Sequence, residues 1–123
     1  MALHVELVSP ERILYSGEAD MVIARTAGGD IAFLTGHAPF VGALGIGKVR
    51  VRQVDGSEEV AAVHGGFLEV KDNRVTILSD VAELVGQIDV PRARDALARA
   101  GDDEDARRRA EVRLDAAGAT ASA

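Results

Sequence analysis

Cysteine is absent from this chain of 123 residues, so the sequence excludes disulfide bonds, thiol catalysis and metal sites built from thiolates. Aromatic residues make up only 3% of the chain, and a hydrophobic core must therefore be built from aliphatic side chains. No apolar run is long enough to span a membrane, and no basic segment followed by an apolar one begins the chain. We therefore expect no direct membrane insertion and no signal peptide.

Basic side chains are fewer than acidic ones: the chain has 14 Lys and Arg and 20 Asp and Glu, which gives a net charge of −6. This charge argues against nucleic acid as a general partner. The hydrophobic content of 47% is ordinary for a globular protein, and the length suits one domain with at most a small appendage.

The composition changes near Gly86. All four aromatic residues and most of the glycines precede it, whereas the rest of the chain is rich in alanine. Before Gly86, short apolar runs alternate with turn residues, which is typical of a β-sandwich or barrel. Early candidate strands are 4–8, 12–16 and 20–26. We predict a β-sandwich domain over residues 1–86.

Two turns predict β-hairpins. Asp55-Gly56 is typical of a two-residue type I′ turn, which would place Val51 opposite Val60. Residues 72–73 form a second such turn. In both predicted registers apolar side chains meet on one face, as expected for correctly paired strands.

After Gly86 the periodicity becomes helical. Asp89 is a candidate N-cap, and Gly101 is a candidate for the residue that follows the last helical turn. A second helix should begin in the acidic run 102–105 and end before Gly118. We predict an antiparallel two-helix hairpin over residues 87–123, whose seam of mostly alanine buries little surface and should dock weakly.

Residues 42–48 match the phosphate-loop pattern as far as Lys48. The next residue is Val49 instead of the Ser or Thr that would hold magnesium, and an alternating strand follows instead of a helix. We interpret the segment as a glycine-rich connection.

The three histidines, His4, His37 and His64, have no ligand spacing, so we predict no metal site. No Ser or Thr has a recognisable base partner by motif. We predict no catalytic residues.

Several motifs resemble one family. Residues 28–40 read Gly-Gly-Asp-Ile-Ala-Phe-Leu-Thr-Gly-His-Ala-Pro-Phe, and they resemble the signature Gly-Glu-x-Gly-Ile-Leu-Pro-Gly-His-Ala-Pro of the epsilon subunit of F-type ATP synthases. Residues 8–12, Val-Ser-Pro-Glu-Arg, resemble the opening of that family. Residues 63–70, Val-His-Gly-Gly-Phe-Leu-Glu-Val, resemble its second signature. The resemblance covers roughly residues 3–100.

This resemblance implies a non-catalytic subunit at the foot of the central stalk. The sandwich would hold the gamma subunit and the ring of c subunits, and would couple proton flow to rotation. The hairpin would either fold against the sandwich or extend along gamma into the catalytic head of alpha and beta subunits, where it blocks ATP hydrolysis. The protein would lie peripherally on the cytoplasmic face of the cell membrane. Asp30 and His37 would face the c ring.

Residues 88–93 resemble the Ile/Leu-Asp-x-x-Arg-Ala motif with which some bacterial epsilon subunits bind ATP. By this resemblance the site comprises Glu83, Ile88, Asp89, Arg92, Ala93 and Arg99. ATP would be a regulatory ligand, and no cofactor would be required. The alternative is a capped, solvated helix start in which Arg99 pairs with Asp95.

Four arginines of the second predicted helix form a basic cluster in an acidic protein, namely Arg107, Arg108, Arg109 and Arg113. The family resemblance implies that they contact an acidic segment of the beta subunits. The alternative is a solvated face with the pairs Glu104–Arg108 and Arg107–Glu111.

Two other classes of function remain open: a free-standing β-sandwich binding module and a phosphate-loop nucleotide enzyme. The module would show no affinity for a gamma subunit, whereas the enzyme would hydrolyse ATP as an isolated chain.

Overall fold

The computed structural model describes residues 2–26 and 28–118. The last five residues of the predicted hairpin, 119–123, lie outside this part. The strands are β1 (Leu3–Val8), β2 (Ile13–Thr26), β3 (Gly29–Leu34), β4 (Phe40–Gln53), β5 (Glu58–Lys71), β6 (Arg74–Leu78) and β7 (Ala82–Leu84). A 3₁₀ turn (Val85–Gln87) then leads to the helices α1 (Val90–Arg99) and α2 (Glu104–Ala116).

The strands form one sheet that closes on itself. Its order is β1-β6-β5-β4-β2-β3, and β1 also pairs with β2. The pairing of β1 with β6 is parallel, while the other pairings are antiparallel. Strands β3 and β7 extend the sheet from β2 and β5. The two walls of this flattened barrel are the two layers of the predicted β-sandwich.

Two strands are longer than the sequence pattern indicated. The separate candidates 12–16 and 20–26 are one strand, β2, with an irregularity between Ala19 and Met21. The interpretation of residues 42–48 as a connection was wrong, because they lie inside β4, which runs for 14 residues. Glycine weakens a strand, but pairing with β5 continues along this segment and keeps it extended. These residues therefore form no phosphate loop.

The core lies between the two walls and is mainly aliphatic, as the composition required. Alternate residues of β1 are buried, so Leu3, Val5 and Leu7 point inward. Phe33 of β3 is the largest fully buried side chain of the described residues.

The predicted hairpin at residues 72–73 is confirmed. Asp72 and Asn73 have φ values of 53° and 60°, and Val70 lies opposite Val75. Positive φ at both central residues defines the type I′ turn.

The predicted register of the other hairpin was wrong by one residue. Val51 lies opposite Glu59 instead of Val60. The Gly56 amide donates to the Gln53 carbonyl at 3.0 Å, and Gly56 has a φ of 88°. This is a type I turn followed by a left-handed glycine, which makes the loop three residues long.

The helical hairpin is folded against the sandwich. Helix α2 lies on β4 and β5, and α1 packs on α2. Asp89 caps α1 through the Arg92 amide at 3.0 Å, and Asp103 caps α2. The buried side chains of the two helices are Ala93, Ala110, Leu114 and Ala116, which confirms a seam of mostly alanine. Neither described helix is long and apolar enough to cross a membrane.

Candidate functional site: the contact between hairpin and sandwich

Two ion pairs join α2 to the sandwich. Nε of Arg113 lies 2.5 Å from Oε1 of Glu83 on β7, and Nζ of Lys48 on β4 lies 3.1 Å from Oδ2 of Asp115. Arg113 and Glu83 are each about three-quarters buried, whereas Asp115 is mostly exposed. Since desolvation strengthens a charge-assisted hydrogen bond, we expect the first pair to contribute more to docking.

His64 of β5 lies beneath the first of these pairs. Its side chain is 3% exposed, and its Nε2 is 3.4 Å from Oε1 of Glu83. Neither ring nitrogen makes a hydrogen bond within the described residues. Burial lowers the pKa of His64, and the Arg113 guanidinium lowers it further, whereas Glu83 acts in the opposite direction. The docked environment therefore favours the neutral form of His64, beside a carboxylate that already pairs with Arg113.

A cavity of about 340 Å³ opens between β7, α1 and α2. It gathers four of the residues predicted to bind nucleotide, namely Glu83, Asp89, Arg92 and Ala93. The structure adds three further lining residues: Gln87, Ala96 and Arg113.

Two predicted site residues, Ile88 and Arg99, do not line this cavity. Arg99 pairs with Asp95 at 3.3 Å on an exposed face of α1, as the alternative interpretation expected. In this conformation Arg99 therefore points away from the other candidates.

The charges around the cavity suit an anion. Arg92 is exposed and makes no ion pair within the described residues, so its guanidinium is available to a ligand. Arg113 also reaches the cavity but is engaged by Glu83. Guanidinium groups bind phosphate oxygens through paired hydrogen bonds. Asp89 is occupied in capping α1, so it organises the start of the helix whether or not a ligand is bound.

The four arginines predicted to contact the catalytic head do not share one face. Arg107 and Arg108 are exposed, whereas Arg109 and Arg113 are partly buried on the side toward the sandwich. Arg107 donates a hydrogen bond to the Gly101 carbonyl. The alternative pairs of these arginines with Glu104 and Glu111 are not formed in the part of the chain described here.

Asp30 is the second residue of the edge strand β3, and His37 follows the end of that strand. Asp30 receives two hydrogen bonds from Arg25, at 3.0 and 3.3 Å, and these lower the pKa of its carboxyl. His37 lies beyond the other end of β3, with its ring 4.8 Å from that of Phe33. Both residues therefore lie along one edge of the sheet, but not side by side.

An exposed apolar patch that we did not predict lies on the outer face of the sheet. It consists of Val41, Phe67 and Leu78, which are 70%, 60% and 52% exposed. Phe67 lies directly opposite Leu78, and all three line one shallow depression. The alternation of β5 could have predicted this, because Leu68 and Val70 point inward and leave Phe67 outside.

The comparisons with known proteins cover most of the chain. Residues 2–85 match the family model of the ATP synthase delta/epsilon chain, β-sandwich domain. The chain is 50% identical over 119 residues to the ATP synthase epsilon chain of Streptomyces avermitilis, covering 95% of this chain and 96% of that one. It is 48% identical over 103 residues to the epsilon chain of Rhodococcus jostii, covering 83% and 84%.

Solved structures share the fold. A chain of the mitochondrial ATP synthase of Euglena gracilis superposes with a TM-score of 0.74 at 24% identity, covering 95% of this chain and 78% of that one. A chain of the Tetrahymena thermophila central stalk and c ring gives a TM-score of 0.59 at 18% identity, covering 85% and 78%. The family model and the near full-length relatives establish that the chain belongs to the epsilon-chain family of F-type ATP synthases, whose members are non-catalytic subunits of that complex.

Proposed function

We propose that this chain acts in the central stalk of a proton-translocating F-type ATP synthase. It would link rotation of the c ring to the catalytic head through gamma and would inhibit ATP hydrolysis through its two C-terminal helices. The observation that carries this proposal is the 50% identity to epsilon chains over nearly the whole length of both sequences. The protein would then lie peripherally at the cytoplasmic face of the membrane.

The apolar patch of Val41, Phe67 and Leu78 is the surface we assign to gamma. Its side chains are contiguous across three strands, and such clusters on a small protein mark protein interfaces. Helix α2 lies elsewhere on the sheet, so gamma would contact this patch without displacing the folded hairpin.

The test is to purify a tagged chain from membranes of a bacterium whose own epsilon subunit has been deleted. Gamma and c subunits should co-purify with it. The substitution Phe67→Ser together with Leu78→Ser should abolish recovery of gamma. The matched control is Val54→Ser, because Val54 is 57% exposed but lies in the β4–β5 turn, outside the patch.

Recovery of the tagged chain without gamma would overturn the proposal and favour a free-standing binding module. ATP hydrolysis by the isolated chain would also contradict it.

The c ring would meet the edge strand β3, which includes Asp30, and the loop residue His37 that follows it. An edge strand presents backbone groups that no other strand of the sheet occupies. Cysteines introduced at Asp30 and His37 should cross-link to loops of the c subunits. Cross-links formed only to alpha or beta would contradict this orientation.

The cavity between β7, α1 and α2 would bind ATP as a regulatory ligand. Its residues come from both the sandwich and the hairpin, so a bound nucleotide would stabilise the folded hairpin by its differential affinity for that state. Calorimetry with the isolated chain should detect ATP binding that is lost in Arg92→Ala.

The matched control for ATP binding is Arg99→Ala, because Arg99 lies on the same helix outside the cavity. If ATP at about 1 mM produces no heat, any binding is weaker than a binding free energy of about −4 kcal/mol. The cavity would then be no more than the neighbourhood of a capped helix start.

A further inference from the structure

We propose that His64, Glu83 and Arg113 form a proton-sensitive switch, in which protonation of His64 releases the helical hairpin from the sandwich. The regulatory consequence of this release, although not the release itself, rests on the proposed inhibitory function. The three residues are called the His64 cluster below.

The first support is the shared carboxylate. Oε1 of Glu83 lies 2.5 Å from Arg113 and 3.4 Å from His64, so one oxygen faces both cations. With the hairpin docked, Arg113 holds this oxygen, and the two ring nitrogens of His64 have no partner within the described residues. An imidazolium has two N–H donors: Nδ1 would be buried without an acceptor, which is costly, and Nε2 would face an oxygen that Arg113 already holds.

The second support is the set of charges around the ring. Helix α2 presents Arg113 and Arg109, β7 presents Glu83, and the exposed Asp80 lines the groove on the other side. On β4 the residue opposite His64 is the apolar Ile46. The nearby charges of Lys48 and Asp115 pair with each other at 3.1 Å. The 3₁₀ turn contributes no charge.

Undocking reverses this environment. When α2 leaves the sandwich, both arginines leave with it, the ring becomes more accessible to water, and Glu83 is free to accept a hydrogen bond from His64. Each of these changes favours the protonated ring. The pKa of His64 is therefore lower in the docked state than in the undocked state.

The direction of the pH effect follows. Docking is strongest above the undocked pKa of His64, where the ring is neutral in both states. As the pH falls from the undocked pKa of His64 to its docked pKa, the equilibrium constant for docking decreases by up to tenfold per pH unit, because release takes up one proton. Acidification should therefore release the hairpin, and alkaline conditions should keep it folded.

The test measures docking in the isolated full-length chain. Because the chain lacks cysteine, two labels can be attached at Asp105→Cys on α2 and Arg52→Cys on β4, both of which are exposed. The distance distribution between the labels gives the docked fraction. Lowering the pH from about 7.5 to about 5.5, across the usual range of histidine, should shift it toward long distances.

Two variants assign this response. His64→Gln should stay docked across the range, whereas His4→Gln combined with His37→Gln should respond like the parent chain. A parent chain that shows no pH response would overturn the proposal, and so would a response that survives in His64→Gln.

A second measurement covers the case in which His64→Gln does not fold. In the variant that lacks His4 and His37, nuclear magnetic resonance follows the one remaining imidazole directly. Adding Arg113→Met should raise the pKa of His64, since a nearby cation is removed. An unchanged titration would overturn the proposal.

The assembled enzyme separates the switch from the proposed function. If acid releases the hairpin of the isolated chain but ATP hydrolysis is equally inhibited with and without His64→Gln, the switch stands and the inhibitory role of the hairpin fails.

Discussion

Glu83 of β7 and Arg113 of α2 meet at 2.5 Å across the boundary between the sandwich and the helical hairpin. The two residues are 30 positions apart in sequence, and the pair exists only while the hairpin is folded. Its neighbours Arg107 and Arg108 are exposed and make no ion pair with the sandwich within the described residues, so Arg113 has a role in docking that they do not share.

We expect Arg113→Met to weaken docking of the hairpin by roughly 1–2 kcal/mol, because it removes a charge-assisted hydrogen bond in a partly buried setting. The same label distance that reports docking measures this change. A double-mutant cycle with Glu83→Gln should recover most of that energy as coupling. The control is Arg99→Met, which breaks an exposed pair within α1 and should leave docking unchanged. Equal effects of the two variants would contradict this account.

Arginines on the two faces of α2 should affect ATP hydrolysis in opposite directions. Arg107→Ala with Arg108→Ala should raise hydrolysis by the assembled enzyme if, as the proposed function requires, these exposed cations pair with acidic groups of the beta subunits. Arg113→Met should lower it, because the released hairpin spends more time extended. Exposed ion pairs are worth ~0–1 kcal/mol each, so the first effect should be modest and should shrink with salt. A rise of equal size in both variants would show that Arg107, Arg108 and Arg113 act together.

A chain that ends after Gly86 should fold and should support coupled ATP synthesis. The aliphatic core is formed by residues of the strands, and the helices cover the outer face of β4 and β5. Circular dichroism should show a cooperative β-type unfolding transition. Synthesis by membranes that contain the truncated chain should match that of the parent, while hydrolysis should lose its inhibition. Loss of assembly would mean that the boundary near Gly86 is not a functional one.

Gly66→Ala should destabilise the sandwich by more than about 2 kcal/mol. Gly66 has a φ of 131°, and a Cβ built there would lie 2.1 Å from the Leu78 carbonyl oxygen. The control is Gly45→Ala on β4, where a Cβ would meet no atom within 4 Å. The control should be neutral or slightly stabilising in urea unfolding. Similar midpoints for the two variants would contradict the close approach of β5 to the end of β6.

Local chemistry made much of the fold predictable. Asp89 predicts a helix start because its carboxylate can accept a hydrogen bond from a backbone amide that has no partner within the helix. The structure has that hydrogen bond, from the Arg92 amide. The Asp72-Asn73 turn was predictable for a similar reason, since both residues tolerate positive φ. The register at Asp55-Gly56 was not, because Asp-Gly serves both a two-residue turn and a three-residue loop in which glycine comes last.

Tertiary contacts decided the rest. Residues 42–48 looked like a connection because glycine has low strand propensity, yet pairing with the neighbouring strand β5 keeps them extended. Arg113 looked like its neighbours in a run of basic residues, and only the docking of α2 on the sandwich turns it toward Glu83. His64 gave no signal at all, since its burial depends on both β7 and α2.

The parallel pairing of β1 with β6 also constrains the order in which the protein can be made. His4 lies opposite Arg74 and Val8 opposite Leu78. The first strand to leave the ribosome therefore cannot complete its pairing until β6, almost the last strand of the sandwich, has been synthesised. Until then β1 can pair only with β2, and its other edge stays open. Closing the sheet is a late, long-range step that should make folding slow for a domain of this size. Anything that binds the open edge of β1 during synthesis would compete with closure of the sandwich.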